Sequence, residues 1–305
     1  MERFLPIGTP GVPWTERERA AWLETQSVQR SYADEVRRKL DALPRDLEVE
    51  RYGALSIDPS RYPLFAVKSA PVAPDRPWAI VTGGVHGYET SGVQGALAFL
   101  AEAAPEYAGK LNLLVAPCVS PWGYEVIHRW NPQAIDPNRS FRDDGPSEEA
   151  SALMRFVAAA GVDVLVHIDL HETTESDEEE FRPALAARDG KAHTPGVIPD
   201  GFYVVGDSEN PRPDLQAAII HAVEKVTHIA PPDADGQIIG CDITQPGVIN
   251  YPVKSLGLCA GLTDAPFTST TEVYPDSPKA TADICNAAQV AAVRAALDHA
   301  LANPT

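Results

Sequence analysis

A histidine and a glutamate stand three positions apart, at His86 and Glu89, just after the apolar run 78–81. A second histidine, His171, ends another apolar run much later in the chain. Two imidazoles and one carboxylate are the ligand set of hydrolytic zinc sites that keep one coordination position open. Positions i and i+3 lie on the same side of a helical turn, so His86 and Glu89 can converge on one cation. The three residues together predict a metal site, whereas the His-x-x-Glu spacing alone also occurs at solvated helix starts.

The apolar run before His171 carries further ionisable residues. In residues 164–171, aliphatic side chains alternate with His167, Asp169 and His171. Because successive side chains of a strand point to opposite faces, these three residues share one face. That face lines a polar cleft or, alternatively, belongs to a solvent-facing edge strand. His171 stands at the end of the strand and is therefore a better placed ligand than His167.

The elements that must position these residues alternate along the chain between strand-like and helix-like patterns. Such alternation predicts an α/β fold with a mixed, largely parallel central sheet flanked by helices. In sheets of this kind, ligands bind at the carboxyl ends of the strands. His86 and His171 both follow predicted strands, so we expect them at one edge of the sheet.

Local patterns predict the individual elements. Trp22, Val36 and Leu40 recur at roughly helical spacing and predict one helix over residues 15–43, ended by Pro44. The chain is then divided into an N-terminal helical extension and a single catalytic domain, at residues 1–45 and 46–305. Further helices are predicted at 91–103, 148–160 (capped by Ser147), 213–226 and 279–302, strands at 47–52, 64–67, 79–82, 111–116, 162–170 and 202–205, and loops at 117–146 and 172–200.

Composition restricts the partners of the protein. With 25 basic and 43 acidic residues, the net charge is −18, which argues against nucleic acid and anionic membranes as partners. The four cysteines are widely spaced, so buried thiols are expected rather than disulfides. Residues 1–6 lack the apolar core of a signal peptide, and no run approaches the ~18–20 apolar residues of a membrane span. A cytoplasmic location is therefore expected.

Several motifs resemble those of the zinc metallocarboxypeptidases, the M14 family. Residues 84–89, Gly-Val-His-Gly-Tyr-Glu, look like the first zinc motif of that family. Ser120, Trp122 and Pro137 depart from the family pattern. Further matches keep the family's order along the chain. Residues 121–125 resemble the family's N-P-D-G-Y-E segment, and residues 129–131 with 136–141 resemble its R-x-N and D-L-N-R-x-F segments. Residues 169–171 resemble the strand that carries the third zinc ligand, and residues 271–273 the late strand that carries the catalytic glutamate.

The resemblance implies the roles of the residues at the centre of the reaction. His86, Glu89 and His171 would bind one zinc ion, which acidifies water and polarises a carbonyl. Glu272 would act as general base and then general acid. Arg129 would stabilise the oxyanion that develops on the scissile carbonyl.

The resemblance also implies residues that bind and orient. Asn138 and Arg139 would hold the free α-carboxylate of the substrate, for which the planar fork of arginine is suited. Asp136 would orient the first zinc histidine from behind. Asp169 either orients its neighbours or pairs with a basic group. Tyr251 is a candidate for the family's mobile tyrosine over the substrate, and a packed tyrosine is the alternative.

The expected function is that of a zinc-dependent metallocarboxypeptidase. Zinc-activated water, with Glu272 as general base and acid, would hydrolyse the C-terminal amide bond of a peptide or peptide-like substrate. Residues 169–174 and 131–134 also resemble the aspartoacylase and succinylglutamate desuccinylase relatives, which hydrolyse N-acyl amino acids. A catalytically inactive zinc-binding module on the same fold is a further alternative, which the presence of Glu272 and Arg129 disfavours.

Two further groups of acidic residues lie outside the motifs of the resemblance. The run 177–180 is expected to be a solvated loop rather than a second metal site. The side chain of the departing residue should contact residues of about 240–270, and either Asp242 or Asp264 in this segment would favour a basic side chain.

Overall fold

The computed structural model of the protein describes residues 7–303. Within that range, eight strands form one central sheet and two short strands form a separate hairpin. The strands are β1 (Leu47–Ala54), β2 (Pro63–Ser69), β3 (Trp78–Gly83), β4 (Asn112–Ala116), β5 (Val164–Glu172), β6 (Tyr203–Asp207), β7 (Gln237–Ile238), β8 (Cys241–Asp242), β9 (Val248–Tyr251) and β10 (Phe267–Val273).

The central strands run in one direction. The sheet order is β1-β2-β4-β3-β5-β10-β6-β9, and β4, β3, β5 and β10 are parallel neighbours. Strand β9 is parallel to β6, while β1, β2 and β6 contribute the antiparallel pairs. The predicted α/β fold with a mixed, largely parallel sheet is confirmed. Because β3, β5 and β10 are adjacent and parallel, their carboxyl ends meet at one edge.

Helices cover both faces of this sheet. Leu97, Leu215 and Leu297, from three different helices, are buried in one apolar layer, and Leu153 is buried in the layer on the opposite face. Each fully buried leucine contributes roughly 1.5–3 kcal/mol to folding. The helices are α1 (Glu16–Glu24), α2 (Arg38–Asp41), α3 (Thr90–Ala98), α4 (Pro121–Val126), α5 (Glu148–Ala160), α6 (Arg182–Arg188), α7 (Pro213–Val223) and α8 (Ala282–Ala302).

The single helix predicted over residues 15–43 is wrong. Helix α1 ends after nine residues, and helical structure resumes only at a π-helical turn, Ala33–Arg37, that leads into α2. Between the two, the backbone N–H groups of Gln29 and Arg30 donate to the carbonyl oxygen of Glu125 at 2.8 and 3.2 Å. These groups are satisfied by a tertiary contact instead of a helix. Periodicity along the chain carries no information about such a contact.

Two segments predicted as loops contain helices. Residues 117–146 include α4, and residues 172–200 include α6 with the π-helical turn before it. In contrast, the helix predicted at 148–160 matches α5 at both ends. The hydroxyl of Ser147 accepts a hydrogen bond from the backbone N–H of Ala150 at 3.2 Å, as the sequence predicts. Local capping chemistry is therefore the more reliable signal here.

The N-terminal helix packs onto an aromatic cluster. Trp22 of α1 contacts Trp122 and Trp130, with ring centroids 6.0 and 5.6 Å apart. Such aromatic pairs contribute about 0.5–1.5 kcal/mol beyond the burial of their area. The division of the chain into an extension at 1–45 and a domain at 46–305 stays a prediction.

Some sequence predictions fall at the limits of the described chain. Residues 1–6, on which the signal-peptide prediction rests, lie outside the described residues. No helix within residues 7–303 is long and apolar enough to cross a membrane. All four cysteines in this range are free; Cys118, Cys259 and Cys285 are buried as predicted, whereas Cys241 is partly exposed.

Candidate active site

Two imidazoles and one carboxylate converge at the carboxyl edge of the sheet. Nδ1 of His86 lies 2.7 Å from Oε1 of Glu89, and Nδ1 of His171 lies 2.7 Å from Oε2 of the same carboxylate. The two imidazole centroids are 4.9 Å apart. Donor atoms from all three residues lie within 4.8 Å of one another, and all three side chains are buried. The structure therefore brings the predicted ligands into one cluster.

Glycines permit the tight turn that carries His86 and Glu89. Gly84 has a φ of +62°, in the left-handed region that favours glycine. A Cβ at Gly87 would lie 2.0 Å from the backbone nitrogen of Tyr124 in α4. The turn can therefore approach α4 only because position 87 has no side chain.

The turn is also tied to β5. The carboxylate of Glu172 accepts hydrogen bonds from the backbone N–H groups of Thr90 and Ser91, at 3.0 and 2.7 Å. A carboxylate at the start of a helix, here α3, also interacts favourably with the helix dipole. Because Glu172 follows His171 and Thr90 follows Glu89 in sequence, these bonds fix the two ligands relative to each other.

A second carboxylate stands behind each imidazole. Nε2 of His86 lies 2.9 Å from Oδ1 of Asp136, and Nε2 of His171 lies 2.7 Å from Oδ2 of Asp169. Asp169 is itself held by the hydroxyl of Thr82, which donates to Oδ1 at 2.6 Å. Carboxylates in this position keep the proton on Nε2 and leave Nδ1 as an electron-pair donor. The sequence left open whether Asp169 orients its neighbours or pairs with a basic group, and the structure shows it in contact with a neighbouring histidine.

His167 lies apart from this cluster. Strand β5 sits between β3 and β10, so the alternative of a solvent-facing edge strand is wrong. The His167 side chain is fully buried, and its Nε2 lies 3.2 Å from the hydroxyl of Thr82. Burial lowers the pKa of His167 to about 4, so it is neutral at physiological pH.

The donor set fits a metal ion. With both Nε2 protons directed at aspartates, two Nδ1 lone pairs face the carboxylate of Glu89. Burial opposes ionisation of the Glu89 carboxyl, and its pKa falls to about 2 only when His171 and His86 carry positive charge. Its buried Oε2 has no hydrogen-bond partner within residues 7–303, although Nδ1 of His171 lies close. A positive charge must lie among these atoms, and a metal ion supplies it without protonating either imidazole.

Arg129 is held beside the cluster by two carboxylates. Its Nε lies 3.1 Å from Oδ2 of Asp136, and its Nη1 lies 3.2 Å from Oδ1 of Asp177. Asp177 is buried and also accepts a hydrogen bond from the hydroxyl of Tyr88 at 2.8 Å. The prediction that the run 177–180 is a solvated loop is therefore wrong for its first residue. The partners of Asp177 are distant in sequence, so no local pattern marks it.

Glu272 lies next to the cluster on the neighbouring strand. In the register of β10 and β5 it is the Cα partner of His171. Its Oε2 accepts a hydrogen bond at 2.9 Å from the hydroxyl of Thr173, whose oxygen lies 2.7 Å from the hydroxyl of Tyr203. Burial, reinforced by the charge of Glu89 and opposed by that of His171, raises the pKa of Glu272 to about 8. The carboxyl can therefore exchange a proton near neutral pH.

The three residues predicted to bind substrate differ in their burial and in their hydrogen bonds. Asn138 is buried, and its Oδ1 accepts a hydrogen bond from the backbone N–H of Cys259 at 2.7 Å. Arg139 is exposed, and its Nη1 donates to the carbonyl oxygen of Asn138 at 2.6 Å. Tyr251 is partly buried at the end of β9, packed beside Ile249. The asparagine is fixed by the fold, the arginine is exposed, and the tyrosine is only partly exposed.

One cavity of about 1020 Å³ joins these residues. Of the nine predicted site residues, all but the buried His171 line it. Asp242 and Asp264 do not belong to its lining within residues 7–303. Asp242 is exposed and bonded to Gln237, while Asp264 is exposed and paired with Lys254. The structure gives neither aspartate a contact with the cavity.

Comparisons with known proteins identify the fold. No protein-family model and no curated protein matches the chain. A candidate metallopeptidase of Shewanella amazonensis is similar in structure, with a TM-score of 0.65 and 19% identity over 90% of this chain and 98% of that one. A metallo-carboxypeptidase of Burkholderia cenocepacia has a TM-score of 0.57 and 16% identity over 94% and 69% of the two chains.

A vertebrate protein shares the same architecture. Bovine thrombin-activatable fibrinolysis inhibitor, solved with a tick carboxypeptidase inhibitor, has a TM-score of 0.56 and 14% identity over 96% of this chain and 99% of that one. The chain thus has the fold of the metallopeptidases and metallo-carboxypeptidases, as the resemblance predicts. It also carries a buried cluster of side chains that could hold a metal ion at the carboxyl edge of its sheet.

Proposed function

We propose that this protein is a zinc-dependent metallocarboxypeptidase that hydrolyses the C-terminal amide bond of a peptide or peptide-like substrate. The observation that carries the proposal is the position of Glu272 beside His171, in the cavity that His86 and Glu89 also line. Two imidazoles and a carboxylate are the ligand set of hydrolytic zinc enzymes. A partly buried carboxyl with a raised pKa next to that set is suited to general acid–base catalysis.

Glu272 moves the protons of the reaction. Bound Zn²⁺ would polarise the scissile carbonyl and lower the pKa of water to about 7. The carboxylate of Glu272 accepts a proton from the attacking water and returns it to the departing amine. The hydrogen bond from Thr173 at 2.9 Å orients the carboxylate for both steps.

Arg129 stabilises the negative charge that develops on the scissile carbonyl oxygen. Its Nε and Nη1 are bonded to Asp136, Asp177 and Tyr88, while Nη2 has no hydrogen bond within the described chain. The guanidinium is therefore held in place with two N–H donors free. Preorganised donors of this kind contribute to catalysis because they need no rearrangement in the transition state.

Arg139 and Asn138 bind the terminal carboxylate of the substrate. Arg139 lines the cavity, its Nη1 is bonded to a backbone carbonyl oxygen, and it has no carboxylate within 4.0 Å among residues 7–303. The bond from Cys259 occupies the amide oxygen of Asn138, and its Nδ2, 3.4 Å from Nε2 of His171, remains a donor because that nitrogen carries its proton toward Asp169. Tyr251 borders the same part of the cavity and closes over the bound residue. These groups select the last amide bond, because only a chain end carries the carboxylate they hold.

The departing residue has a neutral side chain. Next to Glu272 on the same face of β10 is Thr270, which pairs with Val205 of β6. Ile239 and Leu258 also line the cavity, and neither aspartate considered from the sequence does so within residues 7–303. A basic side chain placed here would lose its hydration without gaining a partner.

The proposal is tested by measuring release of the last residue from a set of peptides that differ only at that position. Protein stripped of metal should be inactive, and stoichiometric Zn²⁺ should restore release of neutral residues, detected by mass spectrometry. The same peptides with an amidated C-terminus serve as controls and should stay intact. Full activity of the metal-free protein would refute the proposal.

N-acyl amino acids, the substrates of the aspartoacylase relatives, are assayed beside the peptides. The cavity of about 1020 Å³ favours a peptide, because an acyl amino acid would fill only part of it. A higher kcat/KM for N-acyl amino acids than for every peptide would replace the peptidase assignment with that of an amidohydrolase.

A further inference from the structure

Two of the arginines that line the cavity share one hydrogen-bond acceptor. Arg19 of α1 and Arg188 of α6 both line it, and both donate through Nη1 to the carbonyl oxygen of Ala134, at 3.3 and 2.9 Å. Arg19 also donates to the carbonyl oxygen of Gln133 at 2.8 Å. Two cations from separate helices are thus held against one neutral group. We call Arg19 and Arg188 the arginine wall.

The positive charge of this wall is incompletely compensated. Arg188 pairs with Asp189 through Nε at 2.8 Å, but Arg19 has no carboxylate within 4.0 Å in the described part of the chain. Glu16, one turn earlier in α1, lines the cavity but makes no ion pair with Arg19. Each guanidinium has five N–H donors, and the backbone carbonyls and Asp189 use only some of them. In a chain with a net charge of −18, such free cationic donors inside a cavity are selective for an anion.

Contacts place the wall on the Arg129 side of the cluster. The guanidinium of Arg188 lies 4.9 Å above the ring of Trp130, the residue that follows Arg129. Arg129 is bonded to Asp136, which contacts His86. The groups proposed to hold the departing residue lie instead toward β10 and β9: Thr270 is on β10, Tyr251 is on β9, and Asn138 is bonded to the backbone of Cys259, a few residues before β10. The wall therefore faces the acyl portion of a peptide.

We propose that Arg19 and Arg188 form a binding site for acidic side chains of the substrate, on the N-terminal side of the scissile bond. The site takes carboxylates, which accept two parallel hydrogen bonds from a guanidinium fork. Its place in the reaction rests on the proposed carboxypeptidase function. The protein thus acts on peptides with an acidic segment before a neutral last residue.

The kinetic test uses two peptides that differ only upstream of the scissile bond, Glu-Glu-Glu-Ala-Phe and Gln-Gln-Gln-Ala-Phe. The zinc-loaded protein should favour the glutamate peptide by about tenfold or more in kcat/KM, mainly through KM, because charge-assisted hydrogen bonds are involved. The preference should fall to near one in Arg19→Gln combined with Arg188→Gln. Equal kcat/KM values for the two peptides in the unaltered protein would overturn the proposal.

A matched control variant distinguishes an effect of the arginine wall from an effect of the protein's overall charge. Arg17 is exposed on the same helix and does not line the cavity within residues 7–303, so Arg17→Gln should keep the preference. Loss of the preference in Arg17→Gln to the same extent would contradict the assignment. Because Arg188 stacks on Trp130, the single variant Arg19→Gln is measured as well, with thermal unfolding to verify its fold.

Binding provides a readout that does not depend on turnover. Calorimetry measures binding of C-terminally amidated Glu-Glu-Glu-Ala-Phe and its glutamine counterpart to the zinc-loaded protein. Because the amidated peptides lack a terminal carboxylate, any difference in their affinity comes from the wall and not from the carboxylate-binding residues. Tighter binding of the glutamate peptide by about tenfold, lost in Arg19→Gln, supports the wall even if no peptide is cleaved. Cleavage of both peptides without any difference in binding would leave the carboxypeptidase function intact and refute the wall.

Discussion

The metal cluster and the arginine wall occupy one cavity, but different kinds of structure build them. Glu89 lies in the turn after β3 and His171 near the end of the adjacent parallel strand β5, and both are almost completely buried. Arg19 and Arg188 project from two helices and are partly exposed. Metal coordination needs atoms placed within a few tenths of an ångström, which paired strand ends provide. Recognition of a flexible acidic segment tolerates longer, more mobile side chains.

The largest effect on activity should come from a residue at the strand ends beside the metal cluster. Glu272→Gln removes the proton acceptor while keeping the shape of the side chain, so kcat should fall by about 10²–10⁴-fold. Zinc content, measured by elemental analysis, should stay at that of the unaltered protein because Glu272 is not among the clustered ligands. Unchanged turnover in Glu272→Gln would show that another group moves the proton.

The carboxylates behind the imidazoles should have the next largest effect. Asp169→Asn loses the charged partner of His171 and should weaken zinc binding by about 10–100-fold, measured by competition with a chelator. Asp242→Asn is the matched control, because this aspartate is exposed and bonded to Gln237. Equal zinc affinities in the two variants would mean that Asp169 does not tune its histidine.

The pH profile tests the environment of Glu272. Burial raises its pKa from 4.5 to about 8, and activity needs the ionised form, so kcat/KM should fall as pH decreases through the folded-state pKa. Bound zinc lowers this pKa by its positive charge, so the acid limb should lie below about pH 8. The slope should approach about tenfold per pH unit. An acid limb of the same shape in Glu272→Gln would assign it to a different group.

The smallest effect should come from a residue away from the cavity. Ser147→Ala removes the cap of α5 and should lower the free energy of unfolding by about 1 kcal/mol, measured with urea. Since Ser147 does not line the cavity within residues 7–303, kcat/KM for both peptide classes should stay constant. A change in peptide preference would show that α5 stability is coupled to the site.

Several features of the fold could be predicted because the signal is local. The cap at Ser147 and the bounds of α5 follow from residues a few positions apart. The apolar runs before His86 and His171 indicate strands. The break after α1 could not be predicted, because the backbone of Gln29 and Arg30 bonds to Glu125, far along the chain. Local periodicity is overridden wherever a distant carbonyl satisfies the same N–H group.

The residues of the candidate active site also divide into those that short sequence patterns predict and those that only the structure reveals. The spacing of His86 and Glu89 and the position of His171 after an apolar run are sequence properties, and the motif order points to Glu272. The structure alone shows Asp177 bonded to Arg129, and it alone removes Asp242 from the cavity. The sequence by itself therefore determined the candidate ligands and the strands that carry them, since both are encoded within short segments. Only the tertiary structure decided which charges meet, because strand order and helix packing join residues that no local pattern connects.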